Sequence, residues 1–444
     1  MSHRNHCCVF VVALLWSALA TGAGPLPRQG FLGIEFRSIP AAERDQAKDG
    51  AYVARVLDGS AAAAAGFQAG DIFVALDGRP LSGPHADRQA ADIIHALRAG
   101  DTIEVTYLRA GKTAQQPATL NPIALETSPA HTVRYDAVDV DGVRQRVLFT
   151  TPPGDGPFPV VFYIQGLSCS SVEFPFAENK GPIVQFLEGL SAAGFATLRV
   201  EKSGVGDSEG TPCADIDFAT ELKGYEAACA WLRTQPDAGP VFLFGHSMGG
   251  VFAPLVAQSQ GVRGIMVFGT ITAPLKTYFL ENDVRQSKLR KATSEYMTQQ
   301  AKLVTRFLEG LLDRNESPGQ ILAKDAAFKP FLEIRDADET HFHERHMEFW
   351  RQLNAINVLE EWKKTEQPVL VLWGQCDVPA SQSDHVKLAE TLDRATYVEI
   401  PHMGHGFDQA DSMLDSLRQR SQGEFNPAIV ETTVTWMKDV LAKP

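Results

Sequence analysis

Apolar and polar positions follow two rhythms along this chain, and they change over near residue 130. Between residues 28 and 125 the apolar runs are short and separated by turn residues. Residues 51–56 and 72–76 read as strands, residues 60–65 as a small-residue helix, and Asp77-Gly78 as a turn. Residues 85–98 form an amphipathic helix with Ala91, Ile94 and Leu97 at helical spacing, and 101–109 alternates as a strand before Ala110-Gly111. A polar, Pro-containing stretch over 121–131 reads as connection. Beyond it strands alternate with helices: strands at 159–164, 196–200 and 241–244, helices at 183–193 and 218–233. That alternation predicts a parallel sheet covered on both faces. From about 272 to 359 the strand signal stops and charged amphipathic helices such as 287–312 and 342–353 take over, as in an inserted cap. Strands return at 369–373 and 395–400, and a helix over 427–441 follows.

Composition narrows the class. The 444 residues are 44% hydrophobic and 21% charged, which suits two folded domains. A formal charge of −13 argues against a nucleic-acid partner, which needs a basic face. Arg4 precedes an apolar run over 7–20 and small residues to Ala23, the layout of a cleaved signal peptide over 1–23. That run is shorter than the roughly 20 residues that span a bilayer, so no stable membrane span is expected and a periplasmic or secreted location is. Export makes disulfides possible for the four cysteines beyond it, Cys169, Cys213, Cys229 and Cys376.

The order of elements over 28–125, with Ala65-Gly66-Phe67-Gln68-Ala69-Gly70-Asp71 at its centre, resembles a PDZ domain of the bacterial periplasmic protease type. The resemblance implies that Leu32-Gly33-Ile34 is a loop whose N–H groups take a peptide's terminal carboxylate while the peptide adds a strand to the sheet. The alternative is a module that docks on its own neighbour. Being separately cored, it is expected to be removable.

The chemistry lies further on. Val241-Phe242-Leu243-Phe244 runs into Gly245-His246-Ser247-Met248-Gly249-Gly250, a G-x-S-x-G elbow in strand–turn–helix context, with Ser247 as candidate nucleophile. A serine hydroxyl needs a base and the base needs a carboxylate. Asp377 follows the strand at 369–373, and Pro401-His402-Met403-Gly404-His405-Gly406-Phe407 follows the strand at 395–400. His405, between Gly404 and Gly406, is the expected base, with His402 its rival. His341, His343, Glu344 and His346 lack the spacing of a metalloprotease motif and read as a solvated helix start, so no metal is expected.

Together these motifs make residues 134–444 resemble the α/β-hydrolases, after a linker at 126–133. The fold implied is a mostly parallel sheet with helices on both faces and an inserted helical cap, beside a small α+β module. The resemblance implies Ser247 as nucleophile, His405 as general base and acid, and Asp377 to orient it. It also implies oxyanion donors at the N–H groups of Met248 and Leu167, the latter in Gln165-Gly166-Leu167-Ser168, where Gln165 replaces the family's usual histidine. Lys202-Ser203-Gly204-Val205-Gly206-Asp207-Ser208 is similar to the family's G-x-G-x-S loop and reads as structural. In the family's sheet the strands before Cys169 and Cys213 are neighbours, which implies a disulfide between them. The expected function is hydrolysis of a small ester or thioester through an acyl-enzyme, with no cofactor. A serine peptidase of the same fold, and a non-catalytic binding protein on the same scaffold, are the alternatives.

Overall fold

This computed structural model describes residues 26–443 except 46, 84, 177–180 and 420; the signal-peptide expectation for 1–23 lies outside them. Eight strands form the main sheet: β1 Thr132–Val140, β2 Val143–Thr151, β3 Phe158–Ile164, β4 Ala196–Val200, β5 Ala238–His246, β6 Gly264–Phe268, β7 Val369–Gly374 and β8 Ala395–Ile400. Their spatial order is β1-β2-β4-β3-β5-β6-β7-β8. The pairs β1–β2 and β2–β4 are antiparallel and the rest are parallel.

Side-chain alternation explains why the central strands read as continuous apolar runs. Val160, Phe162 and Ile164 face one core with Leu243 and Val371, under helices Phe218–Leu232 and Gly249–Gln260. Val161 and Tyr163 face the other with Phe244 and Leu372, under helices Pro182–Ala192 and Ala428–Leu441. With both faces covered, residues 160–164, 242–246, 264–268 and 369–374 are all buried, so these strands read as apolar throughout.

Two helix expectations need correction, and two further features were not anticipated. The connection at 126–133 is anchored at both ends: Glu126 pairs with buried Arg199 at 2.9 Å and accepts from Phe174 N–H at 2.9 Å, and β1 starts at Thr132. The antiparallel β1–β2 hairpin was not anticipated, although Asp141-Gly142, both at positive φ, is the two-residue turn that signals one. In the insertion between β6 and β7, the run at 287–312 is two helices, Leu275–Leu289 and Ser294–Leu308, because Thr293 caps the second by accepting from Tyr296 N–H. The run at 342–353 opens as a tight hairpin, His341–Phe342 against Arg345–His346, before helix Met347–Asn354.

The N-terminal module has its own core of Val53, Phe67, Phe73, Ile94, Ile103 and Val105. Its sheet orders Ile34–Arg37, Ala51–Val56, Ile72–Leu76, Thr102–Arg109 and Lys112–Thr119, leaving Ile34–Arg37 at an edge beside helix Ala86–His95. The module is docked on the larger sheet through buried charge. The Arg28 guanidinium lies 2.5 Å from Asp207 and 2.8 Å from Glu173, and Gln29 N–H donates to Asp207 at 2.6 Å. Arg146, on β2, reaches the same Asp207 at 2.7 Å, and Arg98 donates to the carbonyls of Gly206 and Ser208. Among the described residues no helix is long and apolar enough to cross a membrane.

Candidate active site

β5 runs straight into the elbow, where Ser247 holds φ of +56°. A non-glycine residue in that region is strained, and close packing enforces it. A Cβ on Gly249 would lie 2.1 Å from the Ile164 carbonyl oxygen, and one on Gly245 would lie 2.6 Å from the Gly249 oxygen. Only glycine allows the turn to press against β3 and present the serine at the start of helix Gly249–Gln260.

His405 and Asp377, from the loops after β8 and β7, meet each other next to the elbow, the His405 ring centroid lying 5.2 Å from that of His246, the residue before Ser247. His405 Nδ1 lies 3.0 and 2.9 Å from the two Asp377 oxygens, so this nitrogen carries the proton and the carboxylate accepts. Asp377 is buried and itself accepts from Ala380 N–H. Burial favours neutral His405, but the Asp377 carboxylate outweighs it and raises the imidazole above its ordinary value. The rival His402 is exposed at the surface.

Two residues that sequence reasoning did not single out complete this corner. Gly269, after β6, faces the pair so closely that a Cβ would lie 2.8 Å from His405 Cε1 and 2.9 Å from Asp377 Oδ2. His246 donates from Nε2 to the His405 carbonyl at 2.8 Å, so its Nδ1 accepts from Tyr163 O–H at 2.9 Å. Burial, with repulsion from His405, pushes His246 down to about 3, so it holds its neighbour's backbone as a neutral ring.

Across from the histidine, Gly166 follows β3 and lies against the nucleophile: a Cβ there would be 3.1 Å from Ser247 Cβ. Among the described residues, the N–H groups of Leu167 and Met248 are engaged by no acceptor. The carbonyls of this loop are engaged. Lys202 Nζ donates to the oxygens of Gly166, Leu167 and Ser168, and Arg345 from the cap hairpin donates to that of Leu167. Both cations contact Glu221, which stands on the buried face of helix Phe218–Leu232 between Phe218 and Tyr225. A carboxylate at a core-facing position was the available signal, since buried charge needs partners.

Next in the loop, Cys169 is joined to Cys213 in a disulfide with Cα atoms 5.6 Å apart, while Cys229 and Cys376 are buried thiols. The four-residue cluster in the cap disperses. His341 bonds Asp338 and Asp215, His343 stacks on Phe279, and His346 caps Glu348 N–H. Among the described residues no three His, Cys, Asp or Glu side chains are grouped to hold a metal. In the module, the carbonyls of Leu32 and Gly33 accept from Ala62 and Leu57, and Ile34 opens the edge strand.

Residues 161–416 match the alpha/beta hydrolase family, and residues 30–119 match the PDZ domain. Esterase EstD of Thermotoga maritima is 20% identical over 303 residues, 68% of this chain; the alignment spans 66% of that protein's length. A probable periplasmic serine protease do/HhoA-like of Haemophilus influenzae is 42% identical over 89 residues, 19% of this chain and 18% of that protein. Among solved structures, Est1E from Butyrivibrio proteoclasticus with bound ferulic acid is 17% identical with a TM-score of 0.44, covering 69% of this chain and 99% of that one. The first match takes in more than half of the chain and every strand from β4 to β8, so this protein belongs to the alpha/beta hydrolase family and carries a PDZ domain ahead of the hydrolase fold.

Proposed function

We propose that this chain is an exported serine hydrolase that cleaves carboxylic ester or thioester bonds through an acyl-enzyme on Ser247. The observation that carries the reading is a strained, half-buried serine whose elbow lies beside unclaimed N–H groups and, through His246, holds the backbone of a histidine already paired with a buried carboxylate. In this mechanism His405 Nε2 takes the hydroxyl proton as Ser247 Oγ attacks the substrate carbonyl, and Asp377 stabilises the imidazolium. The tetrahedral oxyanion accepts from Met248 and Leu167, each donor being worth about 3 kcal/mol of barrier. Collapse expels the alcohol or thiol, which takes the proton from His405. Water then repeats the sequence and frees the acid. Likeness to an esterase supports the ester substrate. Likeness to periplasmic proteases and the Cys169–Cys213 bond support export. The edge position of strand Ile34–Arg37 supports peptide binding by the PDZ domain.

A fluorophosphonate probe should label the protein, and p-nitrophenyl acyl esters should turn over, both being lost in Ser247→Ala with the fold intact. Aminoacyl anilides serve as the peptidase control. Turnover of anilides in preference to esters would move the reading to a peptidase, and absence of labelling would make the scaffold a binding protein.

A further inference from the structure

The loop that carries Leu167 is gripped from behind by charge. Lys202 Nζ lies 2.7 Å from Gly166 O and 2.9 Å from Ser168 O, and Arg345 Nη1 lies 3.2 Å from Leu167 O. Their shared carboxylate, Glu221, is 3.0 Å from the lysine and 2.6 Å from the arginine, and none of the three side chains is more than 2% exposed. Two cations against one carboxylate leave this buried cluster positive. Glu201, beside Lys202, bonds Ser171 and Val172 N–H instead, and burial pushes its carboxyl up to about 7. Capping carbonyls needs only neutral donors, and burying unbalanced charge is costly, so tying down the loop does not by itself account for an ammonium here.

Peptide geometry does. The carbonyl of Gly166 and the N–H of Leu167 belong to one planar trans unit and point in opposite directions. An ammonium on the oxygen therefore aims the hydrogen, and it polarises the unit so that the N–H donates more strongly. Rotating the unit to turn Leu167 N–H away would pull Gly166 O off Lys202. We infer that Lys202 is a positioning residue that locks the Gly166–Leu167 peptide in the orientation that binds the oxyanion, with Arg345 tying the cap hairpin to the same loop. This inference rests on the reading of Ser247 as the nucleophile.

Lys202→Met is compared with wild type on p-nitrophenyl butyrate and on a trifluoromethyl ketone, which forms a tetrahedral adduct on the serine. The expected result is a fall of about 100-fold in kcat with little change in KM, and an equal loss of affinity for the ketone. The charged groups facing Lys202 are Glu201 in its own loop, Glu221 on helix Phe218–Leu232, and Arg345 in the cap. Burial pushes the ammonium down to about 8, so wild-type kcat/KM should drop above that pH while Lys202→Arg, which stays charged, holds its rate. This second comparison decides if Lys202→Met does not fold. Unchanged kcat in Lys202→Met, or the same alkaline limb in wild type and Lys202→Arg, overturns the inference alone. A wild type without esterase turnover overturns the nucleophile reading and the inference together.

Discussion

His405 stands between two opposing influences, and their balance should be visible in the pH profile. Burial favours the neutral ring and the Asp377 carboxylate favours the charged one, and the carboxylate prevails. The imidazolium already holds the proton it must accept from Ser247, so kcat/KM should rise with pH through a midpoint above the ordinary imidazole value of 6.5. In Asp377→Asn the main counter-charge is gone, only the weaker pull of Asp408 remains, and burial dominates, so the midpoint should move below that value while turnover falls about 10⁴-fold. An unmoved acidic limb in Asp377→Asn would show that this pair does not set the base. These residues were legible because each follows an apolar strand directly, and strand ends are where a parallel sheet presents side chains. Gly269 and His246 were not. Their importance lies in what a Cβ would strike and in which carbonyl a ring nitrogen reaches, and neither leaves a pattern along the chain.

At the scale of elements, the loop after β3 and the turn before helix Phe218–Leu232 act as one unit. The Cys169–Cys213 bond joins the loop bearing Leu167 to the turn Cys213–Asp215, which leads into the helix bearing Glu221. Closing a loop of 44 residues limits the unfolded chain by about 4 kcal/mol in the entropic account. Thiol counting on the unfolded, unreduced chain from residue 26 onward should find two free thiols, Cys229 and Cys376. Four would eliminate the bond. Reduction should lower kcat for small esters more than it raises KM, because the constraint acts on the donor loop. The parallel strands and their helices were readable from periodicity, since burial on one or both faces fixes the pattern locally. The cap was misread where charged residues run on past a helix end. Thr293 is an N-cap inside what looks like one amphipathic run, and His343 and Glu344 take positive φ in a hairpin with no glycine to announce it.

At the scale of the whole molecule, the contact between the two folded units was the least legible feature, and it alters what removing the module should do. Arg28 precedes the module's first strand and looks like a surface cation in the sequence. In the fold it joins Glu173 and Asp207 across sequence separations of 145 and 179 residues, which no local pattern encodes. Asp207 is fully buried beneath Arg28, Gln29 N–H and Arg146, in the same 202–210 loop that carries Lys202. The module therefore covers a charged site on the hydrolase rather than hanging from a tether, although its separate core had suggested that it could be removed freely. Arg28→Ala leaves Asp207 with Arg146 but strips Glu173 of its guanidinium partner. Breaking one side of such a buried pair costs about 3 kcal/mol. Urea unfolding of Arg28→Ala should show that loss, and small-ester turnover should fall as the 202–210 loop loosens. Arg37→Ala is the control, since its partner Glu35 is exposed within the module, and it should match wild type in both measurements. If Arg28→Ala also matches wild type, the docking contributes nothing and the module is separable after all. A chain begun at residue 126 would then keep its full ester hydrolysis.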